Sequence, residues 1–100
     1  MQQKPRALRI NLRDNVAIAL EDIPAGVGVL IEGLDREVVI ALHSIPFAHK
    51  IALSFIKRGE LILKYGVPIA FVLADIPIGE WIHEHNAKSY HEARRGGEIP

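Results

Sequence analysis

The sequence contains no cysteine, and this absence removes several kinds of site at once. Without a thiol the chain can form no disulfide, offer no thiolate nucleophile and hold no cysteine-ligated zinc. A cysteine-free chain is also compatible with a reducing compartment, where structural disulfides are rare. We therefore expect a cytoplasmic protein that is stabilised by packing rather than by covalent cross-links.

Net charge and long hydrophobic runs are also lacking. Twelve Lys and Arg residues balance twelve Asp and Glu residues, so there is no basic footprint for nucleic acid or an anionic membrane. No window reaches the roughly 18 uninterrupted apolar residues expected of a transmembrane helix. The longest apolar run, residues 67–74, is interrupted by Pro68. The polar start, residues 1–6, leads to no apolar h-region, so we expect no signal peptide.

The residues that are present predict one small all-β domain. Hydrophobic residues make up 49% of the 100 residues, which is enough for a core in a single domain. Apolar alternation and β-branched runs predict short strands over residues 8–12, 16–20, 27–31, 37–42, 61–65 and 69–73, separated by Gly, Pro, Asp or Asn turns, one of them at residues 66–68. We place the domain at residues 7–86. Residues 87–100 are largely charged or glycine with little to bury, which predicts a tail or tether.

A spaced repeat decides the one ambiguous stretch, residues 48–57, which fits either a short helix or a strand and turn. Segments 20–29, 53–62 and 73–82 each follow the order Leu, two variable residues, Ile, two variable residues, Gly, two variable residues, apolar. We interpret this unit as strand, tight turn closed by Gly, and strand, with the Ile buried beneath the turn. Pro follows the Ile in the copies at residues 20–29 and 73–82, which disfavours a helix in the remaining copy at residues 53–62. Asp22 and Asp75 precede the Ile, where we expect them to bond backbone N–H groups in the turn.

The stretch with the clearest chemical potential is residues 76–86, which holds the only Trp and two of the five His. If it is extended, His83 and His85 project from one face of a strand and can share a metal ion or an anion. Two neutral imidazoles suit Fe, Mn or Zn, and His49 is the best candidate for a third ligand. Two surface histidines at a strand end are the alternative, because an i, i+2 pair is a weak motif.

Three other residues near these histidines have two interpretations each. Lys50 is a candidate anchor for a substrate carboxylate, or else a solvated side chain beside a half-buried His49. Trp81 and Phe47 would floor a small-molecule pocket or simply pack in the core. The sequence contains no nucleophile elbow, phosphate loop or paired-carboxylate signature.

Together these segments resemble a known family, the small N-terminal SAF-type (β-clip) domain of the altronate and galactarate dehydratases. Its separate-subunit relative is the alpha subunit of sulfolactate sulfo-lyase. The resemblance covers residues 14–86, and its most specific piece is the end His83-x-His85-Asn86. The chain departs from the family at Ala48 and Ala70, where Gly is usual. Both side chains are small, so we expect a slightly altered backbone around an intact site.

The resemblance implies an all-β SAF-type fold and a lyase that eliminates water from sugar acids with a divalent metal, Fe(II) or Mn(II), or sulfite in sulfo-lyase relatives. It implies that His49, His83 and His85 contact metal or substrate, with His83 and His85 as metal ligands. It further implies that Lys50 and Asn86 bind the substrate. In fused members a large domain follows, so we expect a large catalytic subunit as partner, and this chain is then a small subunit or an excised domain.

Two other functions stay open. SAF-type domains also occur as non-catalytic carbohydrate- or anion-binding modules, although such a module has no need of the His-x-His-Asn end. A purely structural dimeric β protein is a third hypothesis, and its histidines would bind neither metal nor acid. The identity of the hydroxy acid, the choice of metal and the presence of a homo-oligomer are left open by the residues.

Overall fold

The structure, a computed structural model, describes residues 3–100 and contains nine strands and one helix in that range. In chain order these are β1 (Arg6–Leu8), β2 (Val16–Ala19), β3 (Gly28–Glu32), β4 (Glu37–Ile40), β5 (Lys50–Ala52), β6 (Leu61–Lys64), β7 (Val67–Val72), β8 (Trp81–Ile82), β9 (Ala87–Ser89) and α1 (Tyr90–Arg95). One sheet has the order β4-β3-β1-β2-β5-β8, and the other has the order β6-β7-β9. The prediction of an all-β fold built from short strands is confirmed.

The first strand lies earlier in the chain than predicted. β1 covers Arg6–Leu8 and pairs antiparallel with β2 and parallel with β3, whereas the alternation had predicted residues 8–12. Ile10 and Leu12 are instead exposed in a loop. The buried carboxylate of Asp14 causes the difference, because it accepts a hydrogen bond from the backbone N–H of Asn11 at 3.2 Å and turns the chain there.

The strand–turn–strand unit occurs four times rather than three. Residues 42–51 follow the same order, with Leu42, Ile45 and Ile51 in place and Ala48 where the other copies have Gly. Ala48 adopts φ +70°, the left-handed conformation in which Gly carries no steric penalty. We call the copies the first unit (20–29), second unit (42–51), third unit (53–62) and fourth unit (73–82).

The four units associate as two pairs, first with second and third with fourth. The central isoleucines of each pair form an isolated β-bridge, and all four side chains are at most 1% exposed: Ile23 with Ile45, and Ile56 with Ile76. The residue at the Gly position of each unit donates its backbone N–H to the residue that precedes the Leu of its partner unit, at 2.7–2.9 Å. The predicted role of the buried Ile is therefore confirmed. The helix alternative for the third unit is excluded.

The aspartates bond backbone N–H groups as predicted, but across the pair rather than within their own turn. Asp22 of the first unit accepts the N–H of Phe47 at 2.8 Å. Asp75 of the fourth unit accepts the N–H of Arg58 at 2.8 Å. Each Asp therefore joins two units that are distant in sequence.

The smaller sheet differs from the prediction at its hairpin. The turn is Tyr65-Gly66, with φ of 56° and 78°, as expected of a two-residue hairpin that follows the strand twist. Val67 and Pro68, which were predicted to lie in the turn, already belong to β7. β7 is also less buried than the predicted buried strand, since only Val72 is fully enclosed.

Residues 87–95 do not form the predicted tail. β9 pairs antiparallel with β7, and α1 packs against β7 with Ala93 fully buried. Ser89 caps the helix by accepting the N–H of Glu92 at 3.2 Å. Composition missed this segment because its pairing uses backbone groups and its buried side chains, Ala87 and Ala93, are small.

The core consists of two clusters that meet at β2 and β5. The first lies under the large sheet and the first two units, and the second lies between the small sheet and the last two units. Successive residues of a strand point to opposite faces, so β5 contributes Ile51 to the first cluster and Ala52 to the second. No helix in residues 3–100 is long and apolar enough to cross a membrane.

Candidate functional site

The candidate site lies where β5 pairs with the edge strand β8. The antiparallel register places Lys50 beside Ile82 and Ile51 beside Trp81. His49 directly precedes β5, and its carbonyl accepts the N–H of Ala19 at 2.8 Å. Pairing of the two strands therefore brings His49 and Lys50 of the second unit next to Trp81 at the end of the fourth unit.

A hydrogen bond joins Trp81 to His49. The indole Nε1–H donates to Nδ1 of the imidazole at 3.0 Å. Because Nδ1 accepts this bond, the neutral ring of His49 carries its proton on Nε2. His49 can therefore donate a hydrogen bond from its Nε2–H to a ligand oxygen. A ring in this tautomer, with Nδ1 already bonded to the indole, has no free nitrogen lone pair for a metal ion.

Two further histidines lie against the same indole. The ring of His83 is nearly parallel to it, with 8° between the planes and 5.3 Å between the centroids. The His83 centroid is also 4.9 Å from that of His49. The ring of His85 lies 5.0 Å from the indole and is tilted by 39°. The structure thus gathers the three histidines singled out by the sequence around Trp81.

His83 and His85 do not share one strand face as predicted, however. β8 ends one residue before His83, and residues 83–86 form a turn. The Asn86 side chain closes the turn, accepting the N–H of His83 at 3.0 Å and donating to the carbonyl of Trp81 at 2.9 Å. These bonds replace strand pairing, and the two histidines line different grooves. With 7% exposure, Asn86 positions the turn, and its contact with substrate gains no support from this geometry.

Lys50 and His83 line one groove with a volume of about 210 Å³. Its floor is apolar, and its polar groups also include Lys88 and Ser89, which the sequence analysis had placed in the tail. Burial, and after it the positive charge of Lys64, lower the pKa of the Lys50 ammonium. Within the described part of the chain no carboxylate lies at ion-pair distance from Lys50.

A second groove, beside the indole, contains a pair of residues that the sequence analysis missed. His43 Nδ1 lies 2.6 Å from Glu80 Oε1, and His85 lines the same groove. The pair forms because the second and fourth units also touch, with the N–H of Leu42 donating to the carbonyl of Gly79 at 2.9 Å. The second unit, which the sequence analysis did not recognise, is the sequence signal that could have revealed this contact between His43 and Glu80.

These side chains do not form a metal site by themselves. In residues 3–100 no group of three or more His, Asp or Glu side chains is arranged to hold a metal ion. His83 and His85 face separate grooves, and Nδ1 of His49 already accepts the indole N–H. Binding of Fe(II) or Mn(II) at His83 and His85 stays a prediction that needs further ligands from another chain.

Trp81 and Phe47, the two aromatic residues proposed as a pocket floor, lie in different surroundings. Trp81 is half-buried and contacts all three histidines of the site. Phe47 is 62% exposed and lines neither groove. Its backbone N–H, bonded to Asp22, is the part of this residue that the fold uses.

Comparison with known proteins agrees with this architecture. No curated protein matches the chain. The sequence profile of the altronate/galactarate dehydratase SAF domain matches residues 5–90. That range contains every strand from β1 to β9. It also contains all residues of the groove lined by Lys50 and His83, which we call the Lys50 groove. The chain therefore belongs to the SAF-domain family of the altronate/galactarate dehydratases.

Proposed function

We propose that this chain forms part of the hydroxy-acid site of a hydro-lyase, completed by a large subunit of the same enzyme. The observation that carries the proposal is the groove lined by Lys50 and His83 beside the Trp81–His49 hydrogen bond. It offers a half-buried ammonium, an exposed imidazole and an apolar floor. These groups suit the binding of a small acid and the transfer of a proton, and the family supplies sugar-acid dehydration as the reaction class.

Lys50 is the residue to which we assign the substrate carboxylate. An ammonium that is partly withdrawn from water is screened less than an exposed one, so a carboxylate placed on it gains more. The lowered pKa of Lys50 has the same origin, because burial and Lys64 disfavour its charged form. A bound anion relieves both effects, which couples substrate binding to the charge of this residue.

The two histidines have complementary roles in the proposed elimination. His83, whose side chain is 45% exposed, removes the proton from the carbon next to the carboxylate. The C–H electron pair forms the carbon–carbon double bond as the bond to the β-hydroxyl breaks. His83 returns that proton to the departing oxygen, which leaves as water, while the Nε2–H of His49 holds this oxygen by a hydrogen bond. The enol product then tautomerises to a keto acid.

We assign no step to a metal, since the described residues hold no converging ligand set. The partner subunit is proposed to supply any further ligands and to cover the open groove. Altronate, galactarate and sulfolactate are the substrates to compare, with release of water from the first two and of sulfite from the third. A homo-oligomer of this chain is compatible with the same assembly.

The test is co-expression with a candidate large subunit, sought in the neighbouring reading frames, followed by assays on the three acids with and without Fe(II) or Mn(II). We expect Lys50→Met and His83→Gln to lower kcat/KM by about 100-fold or more. Lys57→Met, a change of an exposed Lys outside the groove, is the matched control. Full activity of both groove variants in the complex would refute the proposal.

A non-catalytic module that binds sugar acids is the second candidate. It is favoured by the same observation that leaves the metal unassigned, namely a cationic groove with no converging ligand set in residues 3–100. The two functions differ in one outcome. A binding module retains galactarate binding that depends on Lys50, while no co-expressed partner confers turnover of any of the three acids.

A further inference from the structure

The Lys50 groove contains a second cation, Lys88. Lys88 lies on β9, opposite Phe71 of β7, and lines the groove together with Ser89. Lys50 lies on β5, in the other sheet. The groove therefore receives one ammonium from each sheet, and a ligand bound in it can contact both.

The two ammonium groups differ in their partners. Lys88 Nζ forms an ion pair with the carboxylate of Glu98, and the two side chains are 27% and 33% exposed. Lys50 has no such partner in residues 3–100. Glu98 reaches Lys88 because the chain reverses after α1. Gly97 adopts φ +79°, and the N–H of Glu98 donates to the carbonyl of Ala93 at 3.0 Å.

We propose that Lys88 binds a second anionic group of the substrate, and that Glu98 is an internal carboxylate which the substrate displaces. The groove then selects a hydroxy acid with an anionic group at each end, one on Lys50 and one on Lys88. This inference rests on the proposed function, because Lys50 must hold the first carboxylate. It adds a specificity-determining residue and an internal competitor to that site.

Two physical effects favour displacement of Glu98 from Lys88 by the second anionic group of the substrate. An ion pair between partly exposed side chains contributes little net stability, so its exchange for another carboxylate is nearly balanced. A ligand already held at Lys50 presents its second anionic group at a high effective concentration. A ligand with one carboxylate lacks this advantage and leaves the Lys88–Glu98 pair intact.

The test compares three six-carbon compounds of the same stereochemistry, which carry two, one and no carboxylates: galactarate, galactonate and galactitol. Binding to the chain is measured by calorimetry and by amide NMR shifts at constant ionic strength. We expect affinity to fall in that order for the wild type. Lys88→Met should reduce galactarate affinity to the level of galactonate, and Lys88→Arg should restore the preference. Glu98→Gln should strengthen galactarate binding by about two- to fivefold, the range of a partly exposed ion pair.

Matched controls keep the outcomes distinct. Glu92→Gln removes a carboxylate from the same segment without touching the Lys88 pair, and Lys57→Met removes a cation outside the groove. Amide spectra of each variant establish that it is folded.

The inference is overturned if Lys88→Met leaves the ratio of galactarate to galactonate affinity unchanged, or if Glu98→Gln behaves as Glu92→Gln does. Loss of binding in Lys50→Met would in that case leave the proposed function standing. Equal binding of galactitol and galactarate, or unchanged binding in Lys50→Met, contradicts the proposed function as well. Failure of the wild type to bind galactarate, alone and with its large subunit, contradicts both.

Discussion

Lys50 carries its charge at a position that destabilises the folded chain. Burial, and then Lys64, lower the pKa of its ammonium, so the unfolded chain binds more protons in the pH range between the folded and unfolded pKa values. The stability contributed by Lys50 therefore rises as pH increases through that range and is lowest below it. We expect Lys50→Met to be more stable than the wild type near neutral pH, with a difference that shrinks toward about pH 10.

Urea denaturation of both proteins across this pH range measures the effect. Lys57→Met, which changes an exposed Lys, should show no comparable trend. A stability difference between wild type and Lys50→Met that does not vary with pH would mean that the charge of Lys50 is not the cause.

Trp81 controls the protonation pattern of His49 through a single hydrogen bond. In Trp81→Phe the ring against His83 and His85 is kept, but the donor to His49 Nδ1 is lost. We expect a stability loss of about 1 kcal/mol from this bond and a mixture of the two His49 tautomers in place of the Nε2–H form. Long-range nitrogen–proton NMR spectra report the tautomer directly. The ring of His43, which bonds to Glu80, serves as the internal control and should keep its signals.

At the scale of the element, the turn units place the same backbone conformation in different surroundings. Gly59 and Gly79 have φ of +90° and +88°. A Cβ added at Gly59 meets nothing within 4 Å, whereas one at Gly79 would lie 2.0 Å from the carbonyl oxygen of Ile40. Gly59→Ala should therefore cost about 1 kcal/mol, the conformational penalty alone. Gly79→Ala should cost roughly 3 kcal/mol or more, because the β4 backbone must move.

Denaturation midpoints of the two variants test this comparison without reference to any ligand. Each substitution adds the same methyl group at nearly the same φ, so each is the control of the other. Similar losses of stability would show that the contact between Gly79 and β4 does not restrain the fourth unit.

The same units show how far local sequence predicts this fold. The spacing of Leu, Ile and Gly predicted three units correctly, since a buried Ile beneath a left-handed Gly leaves a recognisable pattern. The second unit was not recognised because it has Ala48 where the other units have Gly. Contacts with other units hold Ala48 at φ +70°, and the residue type Ala gives no indication of that conformation. The turn after β8 escaped for a related reason. The amide side chain of Asn86 replaces strand pairing there, and alternation cannot anticipate that.

At the scale of the whole molecule, the candidate groove draws on two sheets, and only half of it could be predicted. Lys50 and His83, which line the groove, and His49, which lies beside His83, were identified from residue type and neighbourhood. Lys88 and Ser89 were not, because composition measures what side chains can bury and does not register the pairing of β9 with β7. The resemblance to the SAF domain was sufficient for the fold class, while the arrangement of the histidines required the structure.

A truncation after Asn86 tests whether the last segment belongs to the domain. Removal of residues 87–100 deletes three register pairs with β7, together with the buried Ala87 and Ala93. At about 1 kcal/mol for each lost backbone hydrogen bond, the small sheet should become unstable before the large one does. Amides of β6 and β7 should then lose protection from hydrogen exchange, while those of β2 and β3, over the first core cluster, keep theirs. Galactarate affinity should fall at least as far as it does in Lys88→Met, because Lys88 and Ser89 are removed from the groove. Removal of residues 99–100 alone, which keeps Glu98, should change neither property. If instead the long truncation left the protection of β7 intact, residues 87–100 would act as a tether, and the groove would have to be completed by the partner subunit rather than by β9.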